Sequence, residues 1–256
     1  MPLAQADIAA AGKMFADAWN GRTTFPALPA GLVPATLEEA VAIQDATAAV
    51  IGQPIVGWKI GGGPGPLVGR VYGEYCHANP ARLSTRQYPE PRVECESGFR
   101  LTKDLPARAA EYTKDEVLSA AVLCFTIELT GSRITGGKHT PDTEDEKLLI
   151  VADNAAGGGL IPGPEVADWR GLDLLALQVD LRINGGDRIP MNAMQRTDPA
   201  VTLAWVANEL SRRGFGLRAG QWVTPGSATQ PVQIRAGDHV VARYESYGEI
   251  SLKLEA

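Results

Sequence analysis

Short β-rich segments broken by glycine and proline dominate the chain after about residue 53. They read IVGWKIG, GRVYGEYC, RVECESGFRL and VLCFTIEL, and the later segments LLALQVDLRING and HVVARYESYGEISLKLE continue the pattern. Such segments are typical of strands, and the helical segments between them are too few for repeated βαβ units. The sequence therefore predicts an α+β fold with a β-rich core.

Helical patterns are concentrated in the first fifty residues. Apolar residues recur there at helical spacing, and Thr36 with Glu39 predicts a capping box that opens the second helix. One later segment, DPAVTLAWVANELSRRG, also has the start and stop signals of a helix. We therefore divide the chain into a helical N-terminal portion, residues 1–52, and a β-rich catalytic domain, residues 53–256.

Charge and cysteine content exclude several classes of protein. A net charge of −6 disfavours nucleic acids and acidic membrane surfaces as partners, because these need a basic surface. The three cysteines are scattered without metal-binding spacing, which suits a reducing compartment. The N-terminus carries Asp7 and Lys13 where a signal peptide would be apolar, and no apolar run approaches the ~18 residues of a membrane span. We expect a cytoplasmic protein.

Glu94 and Glu96 stand one residue apart inside RVECESGFRL. Because strand side chains alternate between faces, both carboxylates point the same way, and like charges there repel. Glu128, in FTIELTGSR, is a third carboxylate among apolar residues, and a buried carboxylate needs a positive partner. Three carboxylates without histidine or a cysteine pair suit a hard dication such as Mg²⁺. Spacing alone leaves open the alternative of a solvated sheet face.

Lys59 lies in an apolar strand that runs into the glycines of residues 61–63. Such a lysine can serve catalysis with a shifted pKa, or it can extend its ammonium to solvent. The residues alone favour the second reading. The glycines allow a backbone to approach a ligand closely, but they do not form a phosphate loop, because the spacing fails and the lysine precedes them.

Ser227 and Thr229 lie in the stretch WVTPGSATQPV, in a turn that precedes a strand. Their hydroxyl groups could donate hydrogen bonds to an anionic ligand. The alternative is a turn without a binding role. The stretch does not form a nucleophile elbow, because GSA lacks the G-x-S-x-G spacing.

The order of these segments resembles that of the fumarylacetoacetate hydrolase superfamily. GWKIG is followed by ECESGF, then IEL-x-x-SR, then Asp153-Asn154 with small residues, then GS-x-T-x-PV and a closing Gly-Asp pair. More narrowly, the chain is similar to the 2-keto-4-pentenoate hydratase branch, which includes 4-oxalocrotonate decarboxylase. The likeness runs from TLEEAVAIQDA near residue 36 to the C-terminus. Each motif is weak by itself, and the whole set in this order is specific.

The resemblance implies a mixed β-roll core and a lyase, foremost a hydratase, that acts on 2-hydroxy-2,4-dienoates or 2-oxo acids in aromatic catabolism. Lys59 would handle a proton or stabilise an oxyanion, while Ser227 and Thr229 would contact the substrate. A homo-oligomer, and association with a pathway partner enzyme, follow from the same analogy. The implied cofactor is Mg²⁺ or Mn²⁺ held by Glu94, Glu96 and Glu128.

Two departures from the family pattern affect the substrate side. Residues 61–66 form a shortened, glycine- and proline-rich connection, and the acid expected to assist water addition has no assignable counterpart; Glu74 is the nearest carboxylate. Pro225 removes one amide donor from the GS-x-T turn. Decarboxylation, carbon–carbon bond hydrolysis and a catalytically weak scaffolding homologue therefore stay open as alternatives. Three further residues are left without a role: His77, Lys103 and Arg133.

Overall fold

In the part of the chain that the structure describes, the strands form two β-sheets. The structure is a computed structural model that describes residues 2–61, 67–88, 90–138, 141–191 and 197–256. Most of the glycine-rich connection, residues 62–66, thus lies outside the described residues. The strands of the described part are β1 Ile55–Ile60, β2 Val68–Tyr72, β3 Ala81–Ser84, β4 Arg92–Leu101, β5 Ala121–Thr130, β6 Gly157–Val166, β7 Asp180–Ile183, β8 Trp222–Thr224, β9 Val232–Gln233, β10 His239–Tyr244 and β11 Gly248–Glu255.

Both sheets mix parallel and antiparallel pairs. The larger sheet has the order β2-β1-β8-β4-β5-β6, and β9 also pairs with β4. Within it β1 and β8 run parallel, whereas the other neighbours run antiparallel. The smaller sheet has the order β3-β11-β10-β7, with β3 and β11 parallel. The predicted α+β class with a β-rich core is confirmed.

The smaller sheet lies against one face of the larger sheet. The Phe125 and Tyr244 rings stack with centroids 4.2 Å apart, and the Tyr244 hydroxyl donates to the Thr126 carbonyl at 2.7 Å. A Cβ at Gly163 would lie 2.6 Å from Ile250, so a glycine is required where β6 meets β11. Cys95 is fully buried in the main hydrophobic core and points away from its glutamate neighbours.

Helices α1 (Gln5–Gly21) and α2 (Leu37–Ile51) form a second, smaller apolar core with α4 (Glu144–Ala152). Thr36 caps α2 as predicted, but the capping box is incomplete: the Glu39 carboxylate accepts from the amides of Leu3 and Ala35 instead. The division of the chain at residue 52 stays a prediction. The helices are α1 Gln5–Gly21, α2 Leu37–Ile51, α3 Lys114–Ser119, α4 Glu144–Ala152 and α5 Pro199–Arg212.

The alternating segment LLALQVDLRING forms a much shorter strand than its pattern predicts. Only β7 is extended, and Leu175 is 41% exposed. The Asp173 carboxylate accepts from the amides of Leu175 and Ala176, which creates a turn in place of the first half of the strand. Among the described residues, no helix is long and apolar enough to cross a membrane.

Candidate metal centre

Three glutamates meet on one face of the larger sheet. Glu94 on β4 lies directly opposite Glu128 on β5, and Glu96 lies opposite Thr126 on the same ladder. Directly opposed residues share a face, so the register brings the three carboxylates together. One oxygen from each lies within 4.8 Å of the others, and all three residues are buried. The solvated sheet face that spacing left open is therefore wrong.

Lys59 supplies the positive charge beside these glutamates. Its Nζ lies 2.8 Å from Glu128 Oε1 and donates to the Ala155 carbonyl at 3.0 Å. Only 5% of the residue is exposed. The reading in which this lysine extends to solvent is wrong, because a carboxylate and a carbonyl replace the water that the ammonium loses on burial.

Burial and mutual repulsion change the proton affinity of the cluster. Burial raises the pKa of Glu94 to about 7, and the charge of Glu128 adds to this effect. Burial and the charges of Glu128 and Glu94 raise the pKa of Glu96 well above its ordinary value. Burial by itself would lower the pKa of Lys59, but the neighbouring carboxylates outweigh it and raise that pKa. The lysine is therefore protonated, and the glutamates compete for protons.

The composition of the cluster fits a hard dication. Three carboxylates and one ammonium give a formal charge of −2. All candidate ligands are oxygens, as Mg²⁺ and Mn²⁺ prefer. The Thr126 hydroxyl, fully buried opposite Glu96, has no hydrogen-bond partner in the described part of the chain. Among the described residues, this is the single group of acidic, histidine or cysteine side chains able to share a metal ion.

The predicted substrate-binding turn lies at the edge of the cluster. The Ser227 hydroxyl donates to the Thr229 carbonyl, and the Ser227 backbone forms an antiparallel bridge with Glu96. Thr229 is fully buried, and its Oγ1 accepts from the amide of Cys95 at 3.0 Å. Thr229 thus fixes the β4 backbone between the two glutamates. The substrate contacts assigned to both residues stay predictions.

Two further groups from the same stretch contact the glutamates and were missed from the sequence. The Gly226 amide donates to Glu96 Oε2 at 2.9 Å, and Thr224 Oγ1 donates to Glu128 Oε2 at 3.3 Å. The Gly226 amide directly follows Pro225, so loss of the proline donor leaves this contact intact. The pairing of β8 with both β1 and β4 places these groups at the centre, and no local signal reveals that pairing.

The SR and DN motifs form a buried ion pair behind the lysine. The Asp153 carboxylate accepts from the Arg133 amide at 2.8 Å, from Arg133 Nε at 2.5 Å and from the Ser132 hydroxyl at 2.8 Å. The Arg133 guanidinium also donates to the Gly157 carbonyl at 2.8 Å and covers the Trp19 ring. Arg133, which had no assigned role, thus anchors the segment that ends in the DN motif.

Other candidates from the sequence lie elsewhere. Glu74 binds Arg22 and Gln53 at the surface, so nothing in its contacts supports a role in water addition. His77 Nε2 is 2.6 Å from the Tyr88 hydroxyl, and burial lowers the pKa of that histidine. Lys103 is exposed in the bend after β4. None of these contacts reaches the glutamate cluster.

The chain is similar in sequence to named enzymes. No family model matches the chain. The 2-keto-4-pentenoate hydratase of Paraburkholderia xenovorans (strain LB400) is 27% identical over 250 residues, which are 92% of this chain and 87% of that protein. The 4-oxalocrotonate decarboxylase of Pseudomonas sp. (strain CF600) is 27% identical over 214 residues, covering 79% of this chain and 78% of that protein.

Solved structures share the fold. The 4-oxalocrotonate decarboxylase from Pseudomonas putida G7, complexed with magnesium and adipate, has a TM-score of 0.81 at 21% identity and covers 98% of both chains. The fumarylpyruvate hydrolase from Pseudomonas aeruginosa, in complex with Mn²⁺ and pyruvate, has a TM-score of 0.55 at 15% identity and covers 79% of this chain and 91% of that chain. The expected β-roll fold is confirmed.

The chain thus shares its fold with a 4-oxalocrotonate decarboxylase and a fumarylpyruvate hydrolase. In sequence it is similar to proteins named 2-keto-4-pentenoate hydratase and 4-oxalocrotonate decarboxylase.

Proposed function

We propose that the chain is a divalent-metal-dependent lyase that adds water to a 2-hydroxy-2,4-dienoate or a closely related 2-oxo acid. The observation that carries the proposal is a buried cluster of three glutamates that shares one lysine. Relatives named hydratase, matched over 92% of the chain, support the choice of reaction.

The metal site in this proposal consists of Glu94, Glu96 and Glu128. A dication would balance the formal charge of −2, and the solved neighbours are complexed with magnesium or Mn²⁺. When bound, such an ion supplies a Lewis acid that favours negative charge on the substrate's C2 oxygen. The Gly226 amide and the Thr224 hydroxyl orient two of the three carboxylates, and such supporting groups affect metal affinity.

Lys59 is the proposed catalytic group. A lysine ammonium has three N–H donors, and two of them face Glu128 and the Ala155 carbonyl. Among the described residues no hydrogen bond occupies the third donor, which is therefore available to the substrate. It would either stabilise the developing oxyanion on C2 or carry the transferred proton. Proton transfer to the distal carbon of the dienol yields an unsaturated ketone, and addition of one water then completes hydration. Ser227, whose backbone bridges to Glu96, is the proposed contact for the substrate carboxylate.

Decarboxylation is the second candidate reaction. The relative from strain CF600, matched over 79% of the chain, is named 4-oxalocrotonate decarboxylase. The same electron sink at C2 would accept the electron pair released when CO₂ leaves. Hydrolysis of a carbon–carbon bond is a weaker alternative, because a fumarylpyruvate hydrolase resembles the chain in fold alone.

A scaffolding homologue that stabilises a partner enzyme without turnover is an alternative from another class. The buried Lys59 and the three glutamates disfavour it, since a charged buried cluster destabilises a fold that has no use for it. Metal binding without turnover of any 2-oxo or 2-hydroxy-dienoic acid would support the scaffold instead of the enzyme.

The test is an ultraviolet assay of 2-hydroxypenta-2,4-dienoate with Mg²⁺, in which wild type is compared with Glu96→Ala and Lys59→Ala. We expect wild type to remove the dienol absorbance only in the presence of metal, and both variants to lose this activity. Products identified by mass then decide the reaction. A hydrated product retains every carbon, whereas loss of CO₂ or cleavage of the chain would contradict the hydratase.

We further propose a cytoplasmic homo-oligomer. The three cysteines are free, which suits a reducing compartment, and the branch analogy supports self-association. Light scattering after gel filtration tests the assembly, and a mass equal to one 27.2 kDa chain would contradict it. Association with a pathway partner enzyme is a separate proposal, which co-purification with a hydratase or decarboxylase of the same pathway would test.

A further inference from the structure

Residues 154–156 form a left-handed turn between α4 and β6. The φ angles of Asn154, Ala155 and Ala156 are 55°, 53° and 55°. Residues other than glycine enter this region singly and at a cost in free energy, because Cβ approaches the following carbonyl oxygen. Three such residues in succession persist only where the surrounding structure enforces the conformation. Contacts with the surrounding structure must therefore hold this turn in its left-handed conformation.

The turn points a carbonyl group at the proposed catalytic lysine. The Ala155 carbonyl accepts a hydrogen bond from Lys59 Nζ at 3.0 Å. The same ammonium also pairs with Glu128. The next carbonyl, that of Ala156, accepts from the Gly131 amide at 2.9 Å and ties the turn to the end of β5. The left-handed conformation thus determines where one of the three lysine donors points.

Asn154 holds the turn against the strand next to Lys59. Its Oδ1 accepts from the Arg70 amide at 2.7 Å, and its Nδ2 donates to the Arg70 carbonyl at 2.9 Å. Both bonds reach the backbone of β2 beside Gly69, which pairs with Lys59 across the ladder. A single buried side chain therefore links the turn to the strand that lies beside the lysine.

The lysine stem packs closely against two glycines. A Cβ at Gly69 would lie 2.3 Å from the Asn154 carbonyl oxygen and 3.0 Å from Lys59 Cγ. A Cβ at Gly157 would lie 3.2 Å from Lys59 Cδ. The aliphatic part of Lys59 thus packs against the backbones of Gly69 and Gly157, and the Ala155 carbonyl of the turn contacts its ammonium.

We propose that Asn154 is a positioning residue for Lys59: its paired bonds to the Arg70 backbone hold the left-handed turn that orients the ammonium. The inference rests on the proposed catalytic role of Lys59. Without these two hydrogen bonds the turn relaxes, so the Ala155 carbonyl moves away from Lys59. The ammonium then shifts from the position that the proposed reaction needs. The three candidate metal ligands stay in place, because Glu94, Glu96 and Glu128 belong to other strands.

Two variants and a matched control test this role. Asn154→Ala removes both hydrogen bonds, and Asn154→Gly removes them while easing the left-handed conformation, which guards against a failure to fold. Asn184→Ala is the control. Asn184 also has a positive φ, 52°, and its side chain bonds the His239 amide and Asp238 at 2.8 Å each, but it lies on the turn after β7 in the smaller sheet.

The readouts are kcat and KM for the dienoate, the Kd for Mn²⁺ and the Lys59 Nζ to Ala155 O distance in crystal structures. We expect kcat to fall about 100-fold in both Asn154 variants, the loss associated with a misplacement of ~1 Å. Mn²⁺ binding is retained, the distance to Ala155 lengthens, and Asn184→Ala retains the kcat of wild type.

An unchanged kcat together with an unmoved Lys59 in both Asn154 variants would overturn the positioning role. An equal loss of kcat in Asn184→Ala would overturn it too, since the effect would then be one of stability. If wild type converts no dienoate, the proposed function fails, and the crystal structures still decide: a displaced Lys59 supports the positioning role and an undisplaced one refutes it.

Discussion

Glu94 and Glu128 face each other directly across the β4–β5 ladder, and both are buried. Like charges placed opposite one another destabilise a sheet. Glu96, two positions from Glu94, adds a third carboxylate to the same face, and Lys59 offsets only one of these charges. The arrangement is consistent with a fold that relies on a bound dication for its full stability.

Glu128→Gln should weaken Mn²⁺ binding by more than ~100-fold, because it removes a ligand and not only a supporting group. The change also leaves the buried Lys59 without its closest charge partner. Calorimetric titration of the metal-free protein measures the effect. Glu165→Gln is the control, because Glu165 lies on the neighbouring strand β6 and forms a partly exposed pair with Arg100. Equal affinity in the two variants would contradict the assigned site.

Lys59→Met should abolish turnover while it preserves metal binding. Methionine keeps much of the buried stem but has no proton and no charge, and loss of a general acid or base typically costs ~10²–10⁴-fold in rate. The steady-state kcat and the Kd for Mn²⁺ measure the two effects separately. Lys103→Met, at an exposed position, should match wild type in both. Substantial turnover by Lys59→Met would exclude the catalytic role of this lysine.

Metal affinity should rise with pH through about 7. Burial raises the pKa of Glu94 to about 7 and that of Glu96 well above its usual range. Protons therefore compete with the metal on the acid side, and metal binding releases them. Titrations on either side of this pH, with proton release followed in two buffers, measure the effect. An affinity that is independent of pH would mean that the ion binds elsewhere.

The stability of the metal-free protein should change with pH in the opposite direction. The ordinary glutamate pKa is 4.5, and in the folded protein that of Glu94 is raised to about 7. Between these values the folded state binds more protons than the unfolded chain, so the free energy of unfolding falls as pH rises. Thermal unfolding with and without Mn²⁺ should show a stabilisation that grows over this window. A metal-free protein whose Tm is the same at every pH in this window would contradict the prediction.

Gly69→Ala should destabilise the protein by about 1–3 kcal/mol, the usual cost of overpacking. The new Cβ would lie 2.3 Å from the Asn154 carbonyl oxygen, which is backbone and cannot rotate away. Denaturant unfolding measures the loss. Gly31→Ala is the control, because nothing lies within 4 Å of a Cβ there. Equal stability of the two variants would show that β2 and the 154–156 turn have room to separate.

The shared face of Glu94 and Glu96 could be predicted from the sequence because its geometry is local. The residues of ECE alternate within one strand, so Glu94 and Glu96 had to share a face. Glu128 followed from an apolar segment in which a lone carboxylate needed a partner. The strands that carry all three have the expected limits within a few residues.

The position of Lys59 and the groups that support it could not be predicted in the same way. Whether a lysine in an apolar strand points outward depends on what faces it, and here Glu128 comes from a strand far along the chain. The two hydrogen bonds of the Asn154 side chain depend on contact between residues 70 and 154, which lie far apart in the sequence. The strand predicted over LLALQVDLRING is shorter than expected for a local reason. The Asp173 carboxylate accepts hydrogen bonds from two amides and forms a turn there.

Anomalous diffraction from crystals grown with Mn²⁺ would test the central claim most directly. The account predicts an anomalous peak bound by one oxygen each from Glu94, Glu96 and Glu128, with Lys59 next to it and no such peak in crystals of Glu96→Gln grown in the same way. An empty glutamate cluster at saturating Mn²⁺, or a peak held by other residues, would contradict it.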